Sequence, residues 1–213
     1  ALSGHEVSSR ASSLQSFWTK RDSKMRDWYE QIKMVDILAQ KNMESFVGND
    51  PRASFNLISS ILNQRIPHRL LPEKLDIDQI QPAAELSEMF DTIWDNISDT
   101  YRQRGRYLMK DIIDYLLATG WYAVFACPTT DGSAFLAEAW NPITVYPRWT
   151  DVLSECAHIF APGKASILRM AANNGWSLRS DPGDNTVIKD YWYVDAVAGK
   201  GIVHNSIVVG NDQ

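Results

Sequence analysis

The chain contains 213 residues, of which 45% are hydrophobic, and eight of them are tryptophan. This length and composition predict a folded protein with one domain or two small ones, and they exclude a disordered tail. The formal net charge of -5 at pH 7 argues against a protein that coats nucleic acid, because such a protein presents a basic stripe.

The N-terminal part of the chain predicts two helices. A small, polar and flexible segment at residues 8–13 is followed by a helical pattern over residues 14–47, with apolar side chains at three-, four- or seven-residue spacing. Gly48 ends this extended first helix. A second helix begins at Asn49-Asp50-Pro51, because proline suits the first helical turn, and ends at Pro67. Its predicted buried stripe consists of Phe55, Ile58, Ile61 and Leu62.

Residues 82–119 carry the strongest helical pattern of the chain. Pro82 begins this helix, and residues 68–81 form an extended connection before it. Acidic side chains crowd the early turns and arginines the late turns, which is the order that the helix dipole favours. Gly105 leaves open whether the segment is one helix or two. The apolar face, at helical spacing, consists of Leu86, Met89, Phe90, Ile93, Trp94, Ile97 and Tyr101.

The C-terminal part predicts antiparallel strands. Residues 120–128 are rich in β-formers, Asp131-Gly132 supplies a hairpin turn, and residues 133–140 return. Asn141-Pro142 comes before a third strand, residues 143–149, which completes a meander. Further strands are predicted at residues 152–160, 187–194 and 202–209, with a short helix near 162–174. The chain is therefore predicted to be α+β, with long amphipathic helices at 1–119 packed on an antiparallel β-meander and hairpin region at 120–213.

Two short motifs resemble ligand sites without matching them. The segment Ala161-Pro-Gly-Lys-Ala-Ser166 is similar to a phosphate loop but lacks its first glycine and its spacing, so a loop before a helix is the better interpretation. Cys156 and His158 would share one face of a strand, where Cys127 or His204 could complete a zinc site. No Cys-x-x-Cys or His-x-x-x-His pair supports that site, and a lone buried cysteine usually serves as a small hydrophobe.

The sequence offers no recognisable catalytic constellation. It has no Gly-x-Ser-x-Gly motif, and the carboxylates after Pro82 have the spacing of a solvated helix face. Asp76 and Asp78 flank Ile77 in the extended connection, and we interpret them as a strand edge rather than an acid–base pair. We therefore predict no catalytic, cofactor-binding or metal-binding residue, and no enzymatic activity.

Basic side chains form two clusters beside aromatic residues, a pattern found in nucleic-acid contacts. Solvated helix faces and ion pairs at subunit interfaces give the same pattern, and phosphate binding usually recruits more positive charge than either cluster holds. The clusters are Lys20, Arg21, Lys24 and Arg26, and then Arg102, Arg104, Arg106 and Lys110.

Cysteine usage and the chain ends bear on the compartment. The two cysteines lie on different predicted strands, which argues against a disulfide scaffold and suits a reducing compartment. The first residues lack the apolar core of a signal peptide, and no run of roughly 18 apolar residues predicts a membrane span. Because the chain starts without Met and ends abruptly at Gln213, we expect a processed or truncated polypeptide.

Three segments, in one order, resemble the portal proteins of tailed bacteriophages. The first is the helix at residues 52–62, with Asn and Pro before its apolar face. The second is the meander at residues 120–151, with Asn141-Pro142, Val145-Tyr146-Pro147 and Trp149-Thr150-Asp151, and it carries most of the resemblance. The third is the hairpin at residues 186–211, where a short strand returns after an aromatic one. The order of the three, rather than any one motif, supports the resemblance.

The resemblance implies a structural subunit of a homo-oligomeric ring, typically of about twelve copies, at one vertex of the virion capsid. Double-stranded DNA is packaged and ejected through such a ring without sequence-specific binding. The major capsid protein, scaffold, terminase motor and tail or adaptor proteins are the implied partners, and assembly takes place in the host cytoplasm. The chain corresponds to the N-terminal and wing portion. The stem, clip and crown would lie beyond Gln213, so no DNA-contact residue is carried over.

Two other classes of protein remain open. One is another virion structural or adaptor module, which ring stoichiometry would distinguish from a portal. The other, which the sequence favours least, is an enzyme with a cleft between helices and sheet, and it would need convergent polar groups with perturbed pKa values. Within the portal hypothesis we expect Phe17 and Trp18 to reach a neighbouring subunit, because they follow a polar entry segment.

Overall fold

The computed structural model describes residues 2–34, 48–63, 77–129, 134–197 and 200–210. Within these ranges the helices come mainly first and two antiparallel sheets follow, which confirms the predicted α+β class. Unit 1 comprises Ala1–Lys24 and Ile143–Gln213, and unit 2 comprises Met25–Pro142. The elements, in chain order, are α1 (Gly4–Phe17), α2 (Thr19–Lys33), α3 (Asp50–Asn63), α4 (Ile77–Gln103), α5 (Leu108–Thr119), β1 (Ala123–Pro128), β2 (Phe135–Trp140), β3 (Val145–Trp149), β4 (Leu153–Phe160), α6 (Lys164–Asn174), β5 (Ile188–Val197) and β6 (Lys200–Val209).

A capping box begins α1. The Ser3 backbone N–H donates to the Glu6 carboxylate (2.8 Å), and the Glu6 N–H donates to the Ser3 hydroxyl (3.3 Å). The segment at residues 8–13, which we predicted to be flexible, is therefore helical. α1 ends at Phe17, and Trp18 separates it from α2, in place of the single helix predicted over residues 14–47. Residues 35–47 lie outside the described part.

In unit 1, α1 contacts all four strands of the larger sheet, whose order is β3-β4-β5-β6. Val7, Ala11 and Leu14 lie on one face of α1 and are at most 1% exposed. They pack against Tyr146 and Tyr191, which project from the facing side of the sheet. The first helix therefore completes the hydrophobic core of unit 1.

In unit 2, the β1–β2 hairpin packs on α4 and α5. The core contains Ile97 and Tyr101 of α4, Leu108 of α5 and Ala139 of β2. The Tyr101 hydroxyl accepts a hydrogen bond from the Ala139 backbone N–H (2.8 Å), and burial raises the pKa of this hydroxyl. The hydrogen bond satisfies a buried backbone group that strand pairing leaves unused.

The helix predicted over residues 82–119 is two helices. α4 begins at Ile77, so the last residues of the predicted extended connection are helical and Pro82 lies inside the helix. Gly105 has a φ of 67°, in the left-handed region that glycine adopts at little cost, and the chain changes direction there before α5 begins.

The two compact units do not follow the predicted division between residues 119 and 120. α1 belongs with the larger sheet because its apolar stripe is buried there, and the β1–β2 hairpin belongs with α4 and α5. The predicted meander also divides at Pro142–Thr144, a short 3-10 helix, because β2 lies in the smaller sheet and β3 in the larger one. The turns at Asp131-Gly132 and at residues 198–199 lie outside the described part.

We expect Leu14→Ala to lower the free energy of unfolding by about 2–5 kcal/mol, because truncation of this buried side chain leaves a cavity under α1. Ser9→Ala, at an exposed position of the same helix, should change it by less than about 0.5 kcal/mol. Urea titrations followed by tryptophan fluorescence measure both. Equal effects of the two substitutions would contradict the packing of α1 on the sheet.

Candidate assembly surface

Side chains from the α1–α2 junction close the outer edge of β3. The Trp18 indole N–H donates to the Pro147 carbonyl (2.8 Å), and the Arg21 guanidinium donates to the Val145 carbonyl (2.9 Å). Pro147 has no backbone N–H. Two outward carbonyls are thus occupied and one outward N–H is missing, so β3 offers little to a further strand.

The Trp18 side chain therefore makes its contacts within its own subunit. Its ring lies under the Arg21 guanidinium, 4.6 Å from centroid to Cζ, and it packs against the core of unit 1. Phe17 is 76% exposed and meets the Trp18 ring edge-on. Of the two residues expected to reach a neighbouring subunit, only Phe17 presents its side chain outward.

The apolar stripe of α3 lies outside rather than inside. Ser59 is the buried residue of this helix, and its hydroxyl donates to the Asp114 carboxylate of α5 (2.5 Å). Ile58 and Ile61 are 45% and 51% exposed. The prediction of a buried stripe is wrong for Ile58, Ile61 and Leu62, whereas Phe55 is partly buried, because a polar contact rather than the whole apolar face fixes α3 on α5. The exposed apolar residues of α3 are Leu57, Ile58, Ile61 and Leu62.

The apolar face of α4 changes from exposed to buried along the helix. Ile97 and Tyr101 are 7% and 3% exposed, whereas Leu86 and Met89, two to three turns earlier, are 51% and 48% exposed. The β1–β2 hairpin thus covers the apolar face only in the C-terminal half of α4, and the same face is exposed in the N-terminal half. The tip of the β3–β4 hairpin adds a third exposed apolar group, formed by Trp149, Val152 and Leu153.

Ion pairs occupy several members of the two basic clusters. Arg21 pairs with Asp22 (2.8 Å) and Arg106 with Asp111 (2.8 Å). Lys110 pairs with the Asp114 carboxylate that also binds Ser59. In the first cluster Lys20, Lys24 and Arg26 are exposed, and in the second Arg102 pairs with Asp99 (3.2 Å). Much of the positive charge is therefore neutralised locally, within α2, α4 and α5 or between the α4–α5 connection and α5.

Cys156 and His158 lie on one face of β4, as predicted, in a buried environment. Burial, with the Asp190 carboxylate nearby, raises the pKa of the Cys156 thiol to about 11, and burial lowers the pKa of His158 to about 4. The register pairs Glu155 with Tyr193 and Tyr193 with His204, so His204 lies on the opposite face of the sheet. The structure therefore does not bring His204 to the two residues.

Cys127 lies on β1, in the other compact unit. Among the described residues, no three Cys, His, Asp or Glu side chains are arranged to hold a metal ion. The segment that is similar to a phosphate loop precedes α6, and its Lys164 forms an ion pair with Asp181. Asp76 and the side chain of Asp78 lie outside the described part.

A polar cavity of about 270 Å³ is lined by α1 and the β3–β4 hairpin, through Arg10, Ser13, Arg148 and Glu155. The Tyr191 hydroxyl donates to one Glu155 oxygen (2.7 Å), and Arg148 contacts the other (3.4 Å). Burial and the Glu155 contact raise the pKa of Tyr191 to about 12, so its hydroxyl stays protonated at neutral pH. These contacts cross-link β3, β4 and β5 through Arg148, Glu155 and Tyr191, and none of them activates a nucleophile.

No protein-family profile matches the chain, and no curated protein shows significant similarity to it. Among the described helices, none combines the length and the apolar content that a bilayer span requires. The surface itself thus provides the strongest functional indication. Several apolar side chains on α3, on the first half of α4 and at the β3–β4 tip are about half exposed or more, which is typical of surfaces that bind other proteins.

His158 gives the fold an acid-sensitive element. Its folded-state pKa of about 4 lies below the ordinary value of about 6.5, so protonation favours the unfolded state. The stability contributed by the neutral imidazole is complete above pH 6.5 and is lost as the pH falls towards 4. We expect wild type to lose about 3 kcal/mol more than His158→Gln between pH 7 and pH 4, as measured by urea unfolding. Parallel pH profiles of the two proteins would contradict this expectation.

Proposed function

We propose that the chain is a structural subunit of a bacteriophage portal ring at the capsid vertex. Such a ring forms the conduit for packaging and ejection of double-stranded DNA and the attachment point for tail or adaptor proteins. The chain would act by assembling with copies of itself, without a cofactor and without sequence-specific DNA binding.

One observation carries the assembly part of the proposal. α3 is fixed to α5 by the Ser59–Asp114 hydrogen bond, while Ile58 and Ile61 remain about half exposed. Full burial of a large aliphatic side chain is worth about 1.5–3 kcal/mol. A helix with this orientation leaves that stabilisation unused in the monomer, and a neighbouring subunit can supply it.

The portal part of the proposal rests on the order of the three resembling segments. Their secondary structure supports it: α3 carries the first segment, β1 to β3 the second, and β5 and β6 the third.

Single-particle imaging of the purified, untruncated protein tests the proposal directly. Closed rings of about a dozen subunits with a central hole are the expected result, because a conduit requires closed cyclic symmetry. Monomers or dimers at micromolar concentration would contradict the ring and would favour an adaptor or other binding module of the virion.

The double substitution Ile58→Ser/Ile61→Ser tests the α3 surface. Both side chains are about half exposed, so we expect less than about 1 kcal/mol of destabilisation and an at least tenfold weaker self-association. Mass photometry across a dilution series gives the association, and thermal unfolding gives the stability. Asn56→Ala/Ser60→Ala, at exposed polar positions of the same helix, is the matched control and should assemble normally. Equal assembly of both double variants would remove α3 from the interface.

A further inference from the structure

The larger sheet has one closed edge and one open edge. β3 is closed by Trp18, Arg21 and the missing N–H of Pro147. At the opposite edge, the Gly210 N–H donates to the Val187 carbonyl (2.7 Å), which extends the β5–β6 ladder. Because backbone groups alternate in direction along an antiparallel strand, residues 201, 203, 205, 207 and 209 direct their N–H and C=O groups outward.

The open edge of β6 also has a place for a side chain. Trp176 and Leu178, together with Ile207 and Val209 of β6, line a cavity of about 270 Å³, which Ser177 and Arg179 complete. A strand paired with β6 directs its alternate side chains to the same face as Ile207 and Val209. An open backbone edge beside a cavity that holds alternate side chains is the arrangement by which domains bind an added strand.

The smaller sheet likewise has one occupied and one open edge. The outward Ala139 N–H of β2 already donates to the Tyr101 hydroxyl. On β1, the Thr129 N–H donates to the Ala134 carbonyl (2.9 Å), so by the same alternation residues 124, 126 and 128 face outward; Pro128 offers only its carbonyl, so Val124 and Ala126 provide the outward N–H groups. Within the described part, no backbone–backbone hydrogen bond outside the β1–β2 ladder occupies the groups of Val124 and Ala126. β1 and β6 are thus the open edges among the described strands.

We propose that β6 of one copy of the chain pairs with β1 of the next copy, which joins the two sheets into one across the subunit boundary. This inference rests on the proposed ring, because a head-to-tail ring needs two different, complementary surfaces on every subunit. If β6 of one copy paired with β6 of another, the two copies would be related by two-fold symmetry, and assembly would stop at a dimer. β3 cannot accept β6, since its outward carbonyls are occupied.

The chemistry of the two strands fits this pairing. β1 has the sequence AVFACP, with no charged side chain, and residues 201–209 of β6 contain only His204 as a titratable group. No like charges therefore face each other across the joint. The lining of the cavity is mixed, and its apolar members, Trp176, Leu178, Ile207 and Val209, are the ones that the apolar side chains of β1 would contact.

Proline substitutions can block each edge separately. Ala126→Pro removes an outward N–H of β1, and Val203→Pro removes one of β6, while the inward ladders to β2 and β5 keep their hydrogen bonds. Ala126→Ser and Val203→Thr keep the N–H groups and serve as matched controls. Circular dichroism and thermal unfolding establish that all four variants fold.

Mixing the two blocked variants gives the decisive measurement, by mass photometry. We expect each proline variant alone to be monomeric, with self-association weakened at least tenfold, and both controls to assemble like wild type. An equimolar mixture should give dimers and nothing larger, because the intact β6 of Ala126→Pro meets the intact β1 of Val203→Pro.

The outcomes separate this inference from the proposed function. Normal rings from either proline variant would overturn the strand pairing and leave the portal ring standing. Dimers of Ala126→Pro alone would overturn it in favour of β6–β6 pairing. Wild type could instead form open chains or small oligomers while the mixture of the two proline variants forms only dimers. That result would support the strand pairing and contradict the closed ring. A monomeric wild type would contradict both.

Discussion

The fold of unit 1 depends on the contact between the α1–α2 junction and the outer edge of β3. Trp18 and Arg21 bind the two outward carbonyls of this strand, and each such hydrogen bond is worth about 1 kcal/mol or more. The contact fixes the end of α1, whose apolar face covers the sheet, and it closes one of the two edges. Any strand that is still to be added to this sheet must therefore pair with β6.

Unit 2 shows how a polar contact can determine the direction of an apolar face. Ser59 gives α3 a buried hydrogen bond to Asp114, and the carboxylate is also paired with Lys110. With this side of the helix turned inward, Ile58 and Ile61 must face outward. A buried aliphatic stripe would have made unit 2 self-sufficient, whereas the observed orientation leaves an apolar surface for a partner.

Burial keeps three ionisable groups of the interior in their uncharged forms. Tyr191 is held protonated between burial and Glu155, Cys156 remains a thiol, and His158 remains neutral at physiological pH. Each value departs from the ordinary one mainly because burial disfavours the charged form. Of the three, His158 makes the protein sensitive to acid, whereas Tyr191 and Cys156 oppose ionisation only at high pH.

The sequence by itself determined the α+β class, the positions of most strands and the helical character of residues 82–119, because these follow from local periodicity and turn residues. The Ser3–Glu6 capping box was readable too, and it gives the true start of α1. Only the tertiary structure decided that α1 joins the distant strands, that β2 and β3 belong to different sheets, and which face of α3 is buried. Hydrophobic periodicity indicates which face of an element is apolar. The element that covers this face depends on contacts between residues far apart in the chain, such as Trp18 with Pro147.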